Sequence, residues 1–126
     1  MGYADVESYC MALPGVSVHT PWSESRVFKV GDKMFAMIVM DSRRASGVWF
    51  KAGEASFQIL TRVKGITPCP YLARAYWVAM DGLAPLKPKE LREYLSRAHG
   101  LVAAGLSKKK RASLGIAAAI EDNPFL

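Results

Sequence analysis

The sequence predicts a single α+β domain, a two-layer sandwich in which an antiparallel sheet carries its helices on one face. Three observations lead there. The chain has 126 residues, 51% of them apolar, enough for one substantial core, and no internal repeat or low-complexity linker divides it. Two β-rich runs, 26–30 and 33–40, flank Gly31-Asp32, the pattern of a tight hairpin. Behind Pro88, residues Leu91, Leu95, Ala98, Val102 and Leu106 recur at helical spacing and form the apolar stripe of a long helix.

The elements follow in order. Val6, Tyr9 or Cys10, and Leu13 mark a short amphipathic helix with Asp5 as its N-cap, ended by Pro14-Gly15. In the hairpin, glycine supplies the positive φ that the turn demands. A two-residue loop opposes Val30 with Lys33 and Phe28 with Phe35, leaving Val27, Lys29, Met34, Ala36 and Ile38 on the other face. Both faces are apolar, so the second is expected to be partly covered. Polar residues 41–46 read as a loop, and Val48-Trp49-Phe50 as a third strand. Phe57, Leu60 and Val63 give a second helix within 53–63, with Arg62 and Lys64 at its end. Pro68-Cys69-Pro70 forces extended backbone, 73–75 is a turn, and 76–80 is a strand by composition. The predicted order is α-β-β-β-α-β-β-α over 1–114. Ser107 is positioned to cap a last short helix through Leu114, and the tail after Leu114 has no assigned structure.

Composition narrows function. Seventeen Lys and Arg against eleven Asp and Glu give a net charge of +6, a bias toward polyanions. Cys10 and Cys69 lack metal or redox spacing and read as buried reduced thiols. No stretch approaches the ~20 apolar residues of a membrane span, and Met1 to Asp5 lacks a leader's charge pattern, so a soluble cytoplasmic protein without membrane partners is expected. His19 and His99 have no carboxylate or cysteine at ligand spacing, Glu90 and Glu93 belong to a helix's first turn, and no phosphate loop occurs. Neither a metal, a cofactor nor a catalytic constellation is predicted.

The candidate contact residues are cationic. Lys108, Lys109, Lys110 and Arg111 would crowd the first turn of the last helix, where the helix dipole disfavours cations. Phosphate binding would explain their position, and a solvated, frayed end would serve equally. Lys33 and Lys51 lie on strands, where lysine also protects sheet edges, and Arg43-Arg44 is a paired guanidinium site in a loop. Trp49 and Trp77 sit within strands and read as packing residues. Trp22, in a loop after Pro21, is either a lid on the core edge or an exposed anchor for a partner or a base.

Several spaced motifs, among them Tyr9-Cys10, Leu13-Pro14-Gly15-Val16, Pro21-Trp22, the run from Phe28 to Ala36, Gly65-Ile66-Thr67-Pro68, Tyr76-Trp77-Val78 and Leu106-Ser107-Lys108-Lys109 with Arg111, resemble the MmcQ/YjbR family. The resemblance runs from about Val6 to Leu114. It implies a small fold similar to CyaY-like and secretion-chaperone-like proteins, and the family's description as double-wing DNA-binding proteins without a catalytic motif. Many members carry a His-Asn-Lys-like segment before the strand tryptophan. Here Leu72-Ala73-Arg74-Ala75-Tyr76 keeps one basic residue there.

The function expected is therefore a DNA-binding accessory or regulatory protein gripping phosphates through basic loops and turns. The alternative is a non-catalytic module for a protein partner or small ligand. One continuous basic strip joining the hairpin tips to Lys108–Arg111 would favour the first reading.

Overall fold

Gly31 and Asp32 form the turn of a two-residue hairpin that joins β2, Arg26–Val30, to β3, Lys33–Asp41. Both turn residues have positive φ, 56° and 68°, as a type I′ turn requires. Glycine is needed at the first for a second reason, since a Cβ there would lie 2.7 Å from Leu106 Cδ1. Val30 faces Lys33 as expected, but the register then shifts, and Phe28 faces Ala36 instead of Phe35. The bulge turns Ala36 and Ile38 onto the same buried face as Phe28, correcting their expected place beside Lys29.

The computed structural model describes residues 1–20 and 25–116. In chain order the other elements are α1, Tyr3–Met11; β1, Val16–His19; β4, Arg44–Lys51; α2, Glu54–Leu60; β5, Ile66–Pro68; a 3-10 turn, Ala73–Ala75; β6, Trp77–Asp81; α3, Pro88–Ala104; and α4, Lys108–Ser113. The six strands form one antiparallel sheet in the order β1-β2-β3-β4-β6-β5. β1 has no counterpart among the expected strands; its alternation places Val16 and Val18 inward and leaves Ser17 and His19 exposed. The expected loop 41–46 shrinks to Ser42-Arg43, both at positive φ, because Asp41 pairs directly with Arg44. Asp5 is not the N-cap of α1. It stands three residues in and accepts the Gly2 N–H at 2.7 Å, half of a capping box.

One core joins the layers. Leu91, Leu95, Ala98 and Val102 of α3 pack with Phe28, Phe35, Phe50, Val78 and Met80 of the sheet, Val6 and Cys10 of α1, and Leu60 of α2. Ile116 is 6% exposed and belongs to this core, so packing continues past Leu114. The Cys10 thiol is pushed up to about 12 by burial and by Glu7, and Cys69 to about 11 by burial, which makes both poor nucleophiles.

His99 is buried on α3, edge-on to Phe35, with Nε2 2.8 Å from the Pro14 carbonyl. A carbonyl only accepts, so Nε2 carries the proton. Burial lowers the imidazole pKa below its ordinary 6.5, partly opposed by that hydrogen bond. The unfolded chain thus binds the proton more readily, and the contribution of His99 is complete above pH 6.5 and falls as pH drops through the depressed native value. Urea titrations from about pH 7 downward should show stability declining across this window, with a shallower decline in His99→Gln. Equal slopes in the two proteins would show that burial does not lower the His99 pKa.

Candidate functional site

Antiparallel connection brings the start of β3 and the end of β4 to one end of the sheet, beneath the last turn of α3. Lys33 and Lys51 therefore line a single cleft of about 420 Å³ with Met34, Trp77, Leu101, Val102 and Gly105. Lys51 donates from Nζ to the Ala75 carbonyl at 3.0 Å, and burial of its stem lowers its pKa. The last carbonyls of a helix attract cations, so both lysines also suit the end of α3 in the absence of a ligand.

The Gly31-Asp32 turn packs on Leu106, just before α4, and Lys110 Nζ lies 4.0 Å from Asp32 Oδ2. Ser107 caps α4 by accepting the Lys110 N–H at 3.1 Å, as the sequence predicts. With six residues, α4 is too short to offer a useful dipole, so its cations count only as side chains. Lys108, Lys109 and Lys110 are exposed. Lys29, paired with Met34 at the same end of the sheet, lines a second cleft of about 370 Å³ with His19, Thr20, Val27 and Met34. Met34 borders both clefts.

Two expected contact groups part from this cluster. Arg111 is buried, and its Nη1 donates to the carbonyls of Leu106 at 2.8 Å and Ala104 at 3.3 Å. It satisfies groups that the end of α3 would otherwise leave unpaired, so the fold uses it and it is not an accessible phosphate ligand. Arg43 and Arg44 occupy the opposite end of β3, about 26 Å away at ~3.3 Å per residue. The expected continuous strip therefore forms only in part: the first hairpin tip joins the lysines of α4, and the second does not. Trp22 lies outside the described residues.

The sequence points to the sheet face turned away from the core only through apolar groups on both faces of the first hairpin, and names none of its residues as a site. Val27, Met37 and Trp49 are in direct register across β2, β3 and β4, half-buried, and outside the core cluster. Apolar residues on both strand faces are the available sign. Among the described residues, no group of three or more His, Cys, Asp or Glu is placed to hold a metal, and no helix is long and apolar enough to cross a membrane.

The YjbR family model matches residues 11–101. The chain belongs to the YjbR family. This YjbR protein is similar to Deinococcus radiodurans protein DR2400, described with the domain DUF419, at 25% identity, with a TM-score of 0.80 over 92% of this chain and 89% of that one. A Pseudomonas syringae protein shares the fold at 19% identity, with a TM-score of 0.63 over 81% of this chain and 99% of that one. No curated protein matches the chain.

Proposed function

We propose that this YjbR protein is a non-catalytic DNA-binding accessory or regulatory protein that grips phosphates with lysines at one end of its sheet. The observation that carries the reading is the convergence of Lys33 and Lys51 on one cleft, with the lysine-rich α4 beside them, where Gly31 packs on Leu106 and Lys110 approaches Asp32. A net charge of +6 supports it. Arg43 and Arg44 would join only on a duplex longer than about eight base pairs, the number that spans ~26 Å.

The salt dependence of binding tests the proposal. On short duplex DNA, log K should fall with log salt at about −0.9 per phosphate contacted, and replacing Lys108, Lys109 and Lys110 together by Gln should flatten the slope by up to about 2.7. An unchanged slope would remove α4 from the site, and no binding at low salt would end the reading. The second reading, a protein-interaction module, draws on the apolar outer face of the sheet. An acidic peptide bound where DNA is not would put it first.

A further inference from the structure

Pairing aligns residues of the outer sheet face into two parallel rows that run across the strands. Val27 faces Met37, Met37 faces Trp49, and Trp49 faces Ala79, an apolar row about 14 Å long at ~4.8 Å per strand. Two residues along the same strands stand Lys29, paired with Met34, and Lys51, paired with Trp77. The rows are therefore about 6.6 Å apart, and the cationic row is continuous with the cleft assigned to phosphates.

From this juxtaposition we infer that the outer face binds single-stranded DNA, with the backbone along Lys29 and Lys51 and two or three unpaired bases lying over Val27, Met37 and Trp49. The inference rests on the phosphate-binding reading above and specifies the form of the strand. Charge complementarity selects the occupant, since the lysines flank one long side of the apolar row. Unpaired bases expose π-faces that an aromatic ring accepts whatever the sequence, whereas duplex bases are stacked out of reach of a flat sheet. Thioethers such as Met37 adapt to varied ring shapes.

Fluorescence anisotropy with the full chain tests this, using a labelled oligothymidylate of about twelve nucleotides and a duplex of equal length, at about 50 mM salt. The single strand should bind tighter. Trp49→Ala should weaken it roughly tenfold and leave the duplex within about twofold, and Trp49→Phe should restore most of the loss. Should Trp49→Ala fail to fold by circular dichroism, Met37→Ala and Trp49→Phe supply the comparison. Equal affinity for both forms with no effect of these variants would overturn the inference and leave the lysine reading intact. Failure of both forms to bind would sink both readings. Tighter binding of an RNA strand or of an acidic peptide would overturn the assignment to DNA.

Discussion

Replacing Gly47 by alanine is expected to cost about 3 kcal/mol of stability, at the upper end of ordinary overpacking penalties, and to lower Tm by about 10 °C for a domain of this size. Gly47 pairs with Val39 on one side and Asp81 on the other, where β3 and β4 change register. A Cβ would overlap the Met80 carbonyl oxygen and lie 3.4 Å from the Gly82 nitrogen. Those atoms are backbone, so relief requires parting β4 from β6, including the 2.9 Å bond from the Gly82 N–H to the Ser46 carbonyl. Gly82 provides the control. Its φ is +69° but a methyl group there would meet nothing within 4 Å, so Gly82→Ala should cost only the left-handed penalty of about 1 kcal/mol. Equal losses in urea denaturation would show that the close approach at Gly47 has no energetic weight.

The contrast between these glycines marks what a chain can tell about itself. The Gly31-Asp32 hairpin, the stripe of α3 and the Ser107 cap were legible because each depends on neighbours in sequence. The register beyond Lys29 was not, since alternation cannot signal an extra residue and the bulge is settled by Phe35 finding room in the core. β1 is absent from the expected strands because it is only four residues long, although its Val-Ser-Val-His alternation carries the period-2 sign of a strand. The start of β4, Arg-Ala-Ser-Gly, has little strand propensity and is held by pairing with β3 and β6. At the candidate site, the lysines were visible as residue types, but only the meander brings Lys33 to Lys51. Arg111 looked like one cation of four, and its burial depends on where α3 runs out of partners for its carbonyls.

Phe35→Ala should be the most damaging truncation near the site, at about 3–5 kcal/mol. Phe35 is fully buried, with its ring 6.5 Å from Phe28 and 5.4 Å, edge-on, from His99. It is also the residue left over when β2 and β3 shift register, so its side chain anchors the bulge that turns Ala36 and Ile38 inward and Met37 outward. Alanine would leave a cavity beside His99 and remove the reason for the bulge, which frees β3 to slide by one residue. That slide would exchange the two faces, burying Met37 and dismantling the row with Val27 and Trp49. Two signatures should therefore accompany the loss in urea titrations: a weaker acid-side decline than in the wild type, as His99 gains solvent, and a fall in single-strand affinity at temperatures where the variant remains folded. A stability loss near ~1 kcal/mol, well below the usual cost of such a truncation, with the pH profile unchanged would mean that the bulge is held elsewhere and that Phe35 only fills space.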